Sequence, residues 1–280
     1  MRVGKIVNKV FTFIVSVILI GVVVLPLLWV ISLSFKSHAD ILQWPPKLVF
    51  TPTLENYRAI LTTRSTNNFP FVRVLINSLV VTACSVVVSL SLSSLAAYSL
   101  ARLKPRHKTG INYLILGLRL IPPIAIVVPL FIIWNKIGLY DTKLGLIIPF
   151  VALDIPLSTW LLQGFFEGIP GSLEDAAVID GCSRFQAFYK VILPLAAPGI
   201  AATSIFSFSL SWNELTLPLP LTLTKAATLP VLASQVRTDE GILWGQLGAY
   251  STLMIVPMII FTIFAANYLI SGIASGAVKE

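Results

Sequence analysis

Two uncharged runs constrain this chain more than any other feature. Val10 to Leu33 passes 24 residues without a charged side chain, and Val74 to Leu100 passes 27. About 20 apolar residues suffice for a helix to cross the roughly 30 Å hydrocarbon core of a bilayer. Further candidates are Gly110–Trp134, Leu144–Phe165 and Leu195–Leu217, each with a single charged residue, and one inside the charge-free run Gly241–Val278. In lipid, backbone polar groups must be satisfied internally, which leaves helices or a closed barrel. Barrel strands would read as ~10-residue alternating segments, whereas these runs are continuously apolar. The expected fold class is therefore all-α: a membrane protein of six transmembrane helices in a single domain over residues 1–280. The spans are expected over residues 10–34, 72–100, 110–134, 144–165, 195–217 and 246–270, with a loop at 166–194 and a tail at 271–280.

Composition agrees, with 56% hydrophobic and 11% charged residues against about 25% charged in soluble domains. The net charge of +8 is spread over span ends, with no basic face or run, so nucleic acid is not an expected partner. Arg2, Lys5 and Lys9 precede the first span, but its apolar core is too long for a signal peptide and no small-x-small cleavage site follows. It reads as a retained anchor. Cys84 and Cys182 cannot make a disulfide framework, and Cys84 is read as a small buried apolar residue.

Lys and Arg divide ten against nine between the two sides, with Arg119 inside a span. The bias counts most in short loops next to spans, and "ARLKPRHKTG" (Ala101–Gly110) and the first nine residues are the basic ones. Both termini and the 166–194 loop are thus expected in the cytoplasm. On the outer side, Thr53 is expected to cap a short helix carrying Leu54, Tyr57 and Ile60 or Leu61 at helical spacing. It would serve as a surface cover or as a partner's landing site.

The 166–194 loop contains "SLEDAAVIDGCSRFQAFYKVILP" (Ser172–Pro194). Ser172 and Asp175 have capping-box spacing, Leu173, Ala176, Ala177 and Asp180 share a helix face, and Gly181 suits a helix end. Ser183 and Gln186 form a second box, opening a helix with Phe185, Phe188, Tyr189 and Ile192 on one face. Pro194 and Pro198 suit the first turn of the next span. Small residues beside an aromatic stripe fit a protein partner. The acids Glu174, Asp175 and Asp180 argue against an anionic lipid surface.

The run Asp175-Ala176-Ala177, then Gly181 and Val191-Ile192-Leu193-Pro194, resembles the "EAA" loop of membrane subunits of ABC importers; Asp175 stands where the family usually has Glu. "LPLLWVISLSFK", "TLENYRAIL", "RLIPPIAIVVPLF", "IGLYDTKLGLI", "WNE" and "SGAVKE" resemble the carbohydrate-uptake branch, in particular the maltose-type second permease subunit. The resemblance implies a type I importer bundle whose loop is a coupling helix seated on a separate ATPase. Glu174, Asp175, Ala176, Ala177, Asp180, Gly181, Phe185, Phe188 and Pro194 would make that contact, and the tail residues Gly276, Ala277, Val278 and Lys279 would reach along the ATPase. It further implies a second permease subunit, an ATPase dimer holding ATP and Mg, an extracytoplasmic solute-binding protein, and a di- or oligosaccharide substrate moved by alternating access through the cytoplasmic membrane.

Ionisable groups inside spans default to functional readings. Arg119 and Asp154 are both expected near mid-bilayer, facing the bundle interior where they can pair, either for structure or for substrate. Trp134, Trp160 and Phe208 are aromatics a sugar path could use. Asn213 and Glu214 are placed at the outer end of the fifth span as a gate or a helix end, and Asn77 has the same ambiguity. No phosphate loop G-x-x-x-x-G-K-[ST], no nucleophile elbow and no Cys/His metal spacing occurs. The chain is thus expected to bind no cofactor or metal and to be no enzyme itself. The competing reading is an ion-coupled secondary transporter working through Asp154 or Glu214.

Overall fold

The computed structural model describes residues 2–62, 70–103, 105–238 and 241–276. The chain divides into two compact units, 1–71 with 233–255 and 72–232 with 256–280.

The smaller unit begins with α1 (Arg2–Ser34), followed by α2 (His38–Leu42) and α3 (Glu55–Thr62). The apolar side chains of α1 between Val10 and Trp29 are exposed on every face, a surface suited to hydrocarbon or to another permease. Its end is pinned by polar contacts. Asn56 of α3 donates to the carbonyls of Ser34 and Lys36 at 3.0 and 2.8 Å, and the Tyr57 and Ser34 hydroxyls lie 2.8 Å apart. Lys36 is buried, its ammonium 4.4 Å from the Trp29 ring centroid and 4.9 Å from that of Phe50, so ring faces replace part of its hydration. Thr53 accepts from the Glu55 amide but stands one residue before the N-cap position, Leu54, whose carbonyl accepts from Arg58; Ile60 is buried, while Leu54 and Leu61 face outward.

The larger unit contains α4 (Phe71–Arg102, from Val72 on), α5 (Lys108–Leu118), α6 (Pro123–Ile137) and α7 (Lys143–Gly168). After them come α8 (Gly171–Ile179), α9 (Arg184–Ala187), a π-helical turn (Phe188–Ile192), α10 (Leu193–Leu195), α11 (Ala197–Trp212) and α12 (Pro218–Leu221). α13 (Leu229–Ser234) leads to a two-residue hairpin, β1 (Arg237–Thr238) antiparallel to β2 (Gly241–Ile242), and α14 (Trp244–Gly276) closes the chain. The unit boundaries fall inside α4, α13 and α14.

Among the described residues four helices are long and apolar enough to cross a membrane unbroken, or six spans if each of two bent helix pairs counts as one. The stretch expected as one helix over 110–134 is two, α5 and α6, meeting at 78°. Pro123 drives Pro122 into extended backbone, φ −67° and ψ 133°, because a residue preceding proline avoids the α region. Arg119 therefore caps α5 at the break instead of sitting inside a straight span. Likewise the 184–195 segment meets α11 at 74°, and α11 stops at Trp212, short of Leu217.

Two apolar clusters stack along α4 and α7. One joins Val81, Val127, Trp134, Leu146, Phe150 and Leu217; the other joins Ala97, Leu162, Phe166, Phe188 and Ile192. Between them, at Ser89 of α4 and Asp154 of α7, lies a polar layer. Cys84 is exposed, not buried as its size suggested: it shares the outward face of α4 with Val87, Val88 and Leu92.

At the turn into α7, a Cβ on Gly145 would collide with the Leu139 carbonyl oxygen. The Gly145 carbonyl also accepts from the Trp134 indole at 2.7 Å, which makes Trp134 a structural residue. Gly145→Ala is expected to cost about 3 kcal/mol, the upper end of overpacking, and to lower the thermal midpoint in detergent. An unchanged midpoint would show that this turn yields freely.

Candidate functional site

Two places in the larger unit gather the residues of interest: the helical pair around Asp175 and the polar layer around Asp154.

In the helical pair, α8 begins at Gly171 with Pro170 as an N-cap that offers no side-chain bond. The expected Ser172–Asp175 capping box is therefore absent. Ser172 already lies within the first turn, where its hydroxyl cannot reach the amide a capping residue serves. The C-terminus behaves as expected. Gly181 has φ +90° and donates to Val178, and Cys182 donates to Ala177, both at 3.0 Å, the pattern of a glycine-terminated helix. Ser183 and Gln186 form the complete second box.

The acids divide. Glu174, expected at the partner contact, turns inward: Tyr98 donates to its Oε1 at 2.5 Å and Arg102 Nε lies 3.2 Å from its Oε2. Arg102 also donates to the Ile169 carbonyl at 2.8 Å. The carboxylate ties α8 to the end of α4. Asp175, Asp180 and Ala176 are exposed, whereas Ala177 is buried against this chain's own core. The aromatic stripe also divides. Phe188 and Ile192 are buried, Phe188 lying 4.6 Å from the Tyr98 ring, while Phe185 is 66% exposed and Tyr189 points outward. The π turn causes this. Pro194 has no N–H for the Lys190 carbonyl and its ring would crowd it; the turn widens so that Leu193 donates to Phe188, and the face rotates. Pro194 itself is exposed. Ile179, 84% exposed, was not anticipated as a contact residue. Gly276 ends α14, and Ala277, Val278 and Lys279 lie outside the described residues.

Glu174→Ala should release α8 from α4. Amides of residues 171–181 are expected to exchange hydrogen at least tenfold faster, with α7 unchanged; equal exchange would mean the ion pair holds nothing.

In the polar layer, Asp154 is buried and its Oδ2 accepts from Ser89 at 2.5 Å, from Ser158 at 3.1 Å and from Ser207. One carboxylate thus joins α4, α7 and α11. The expected pair with Arg119 does not form: among the described residues no ion pair links them, and the Arg119 guanidinium is exposed, its Nη1 3.5 Å from the Leu153 carbonyl. The break at Pro122 sets Arg119 at a helix end. Arg119, Asp154 and Glu214 nevertheless line one cavity of about 210 Å³. Glu214 Oε1 caps the next turn by accepting from Thr216 and Leu217. Asn213 bonds back to Ser209. Phe208 is buried and stacked on Phe261 at 4.2 Å, and Trp160 is exposed away from the cavity. Ser89 was missed, although Ser78, Thr82, Ser85, Ser89 and Ser93 recur at helical spacing on α4 and are all buried.

Sequence reasoning also missed Asp141, between α6 and α7. Its backbone is left-handed, φ +54°, and its carboxylate accepts the amides of Leu223, Thr224, Lys225 and Ala226, each at 3.0 Å. Asn77, a possible gate in the sequence, donates instead to the carbonyls of Lys225 and Ala227, and Ser78 accepts from Leu229. Together they fix the 222–229 segment.

Long apolar helices and two bent helix pairs around a buried polar layer define an all-α multi-pass membrane protein. Its fold matches a chain of a bacterial ABC transporter involved in the import of the acidic polysaccharide alginate, with a TM-score of 0.72 at 24% identity over 95% of this chain and 96% of that one. Residues 89–273 match the family described as binding-protein-dependent transport system inner membrane component. Similar relatives are the trehalose transport system permease protein SugB of Mycobacterium tuberculosis, 37% identical over 95% of this chain and 96% of that protein; the trehalose/maltose transport system permease protein MalG of Thermococcus litoralis, 34% identical over 95% of each; and the diacetylchitobiose uptake system permease protein DasC of Streptomyces coelicolor, 32% identical over 97% and 98%. The chain belongs to the family of binding-protein-dependent transport system inner membrane components. It is a permease of an ABC importer with the type I fold, which sets aside the ion-coupled reading of Asp154 and Glu214.

Proposed function

We propose that this permease translocates a di- or oligosaccharide into the cytoplasm. It would do so beside a second permease subunit, above an ATPase dimer that holds ATP and Mg, and beneath an extracytoplasmic solute-binding protein. The chain itself binds no cofactor and hydrolyses nothing; both termini are cytoplasmic. The relatives named for trehalose, maltose and diacetylchitobiose support the substrate class. The observation that carries the coupling is the exposure of Ile179 and Phe185 on an element whose base is held by Glu174, Phe188 and Ile192. Burying such side chains is worth about 1.5–3 kcal/mol each, and a partner that grips them moves a rigid body. ATP would close the ATPase pair, the 172–192 element would follow, and the bundle would open outward to receive sugar; hydrolysis resets it.

The test is ATP-driven uptake by the reconstituted complex against a sugar panel. Uptake of at least one disaccharide or oligosaccharide, dependent on ATP and on the binding protein, is expected. Uptake confined to non-sugar solutes would overturn the substrate class, and uptake without an ATPase would overturn the coupling.

A further inference from the structure

We propose that the cavity at the α5–α6 break is a subsite of this chain's own for one sugar ring, selective for neutral or amine-bearing rings over uronic acids. This rests on the sugar-importer reading above. The cavity's roughly 210 Å³ is small beside the ~300–1,000 Å³ of sites that enclose drug-sized ligands, so it fits a single ring of a longer saccharide. Its chemistry is set by Asp154. Oδ2 is saturated by three seryl hydroxyls, whereas Oδ1 is buried without a hydrogen-bond partner. A buried acceptor left unpaired is costly; Oδ1 has no open surface in this structure, so a hydroxyl or an ammonium relieves it only where a wall side chain gives way to let the donor through. Glu214 and Ser211 line the same space, as does Arg119, so two acidic residues and one basic residue border it. A ring bearing its own carboxylate would bring a third negative charge into a low-dielectric site. Phe150, Leu118 and Leu210 supply apolar wall.

The preference is opposite to the cargo of the structural neighbour, which takes part in import of an acidic polysaccharide. At 24% identity that likeness concerns the fold, so cavity charge is free to differ.

The probes are methyl glucoside, glucosamine and glucuronate, read by saturation-transfer NMR on the permease–ATPase complex in nanodiscs without the binding protein. The two non-acidic sugars should bind and glucuronate should bind at least tenfold more weakly. Asp154→Asn should weaken glucosamine at least tenfold and narrow its margin over glucuronate. Ala152→Phe, which fills the cavity from an exposed lining position without altering a polar group, should abolish binding of all three while the ATPase stays associated. Should Asp154→Asn fail to assemble, the wild-type ranking and Ala152→Phe decide the matter. Equal or tighter glucuronate binding, no sugar binding by the wild type, or undiminished binding by Ala152→Phe overturns the subsite. ATP-driven uptake that persists in any of those cases leaves the importer reading standing, while loss of ATPase association in the wild type sinks both.

Discussion

Asp141→Ala is expected to destabilise the permease by about 4 kcal/mol or more, placing it among the severe single substitutions. The carboxylate accepts four consecutive backbone amides of the 223–226 segment. Hydrogen bonds to a charged acceptor contribute roughly 1.5–3 kcal/mol each, and though they do not add, the alanine variant leaves several amides unpaired at once. Alanine also dislikes the left-handed backbone at φ +54°, so Asp141→Asn, which tolerates it, isolates the charge. Burial alone would raise the Asp141 carboxyl, but the amides of Thr224, Leu223, Ala226 and Lys225 outweigh it and hold the group below its ordinary value. A depressed carboxylate stabilises fully above its unfolded pKa of about 3.9 and loses that contribution as pH falls through the lower folded value. The wild-type thermal midpoint should therefore drop below about pH 4 by more than that of Asp141→Asn, the two curves converging in acid. Parallel curves would show that the charge does not hold the segment.

The second large effect concerns the exposed apolar residues of the helical pair. Ile179→Asp with Phe185→Asp should leave the permease folded, because both side chains stand in the open, and should reduce ATPase capture in detergent by at least a hundredfold. Losing two anchors of ~1.5–3 kcal/mol each, and adding charge beside Asp175 and Asp180, accounts for that size. Ala177, which the sequence suggested as a docking position, is the wrong probe: it packs inside this chain, and a bulky residue there would damage the fold before it touched a partner. Retained capture by the double variant would move the contact elsewhere on the chain.

The contrast between Ala177 and Ile179 shows what a sequence of this kind can disclose. Long uncharged runs fix helices in lipid with little freedom, so an all-α membrane fold was legible from solvent physics alone. The bends were not read: the break at Pro122 falls inside a stretch expected as one helix, and the angles of 78° and 74° depend on packing. The Ser183–Gln186 cap and the glycine stop were legible, whereas the first cap was not, since Pro170 takes that place in the 166–194 loop. The orientation of its acids was not, since whether Glu174 or Asp175 turns inward depends on Tyr98 and Arg102, one turn apart on a helix far earlier in the chain. Asp141 was invisible for the same reason: its four partners are backbone amides 82–85 positions on, and any sequence supplies amides. The Arg119–Asp154 pairing failed because equal depth in straight helices ignored the break at Pro122. Ser89 could have been found, as its stripe on α4 has helical period.

Coupling through the helical pair stands or falls on the accessibility of a single thiol at position 179, with Cys84 and Cys182 replaced by serine. In sealed vesicles of known orientation, Ile179→Cys should react with a membrane-impermeant maleimide only from the cytoplasmic side, and assembly with the ATPase should protect it at least tenfold. Labelling from the extracellular side, or labelling that the ATPase leaves unchanged, would contradict the claim that this helical pair is where the motor takes hold.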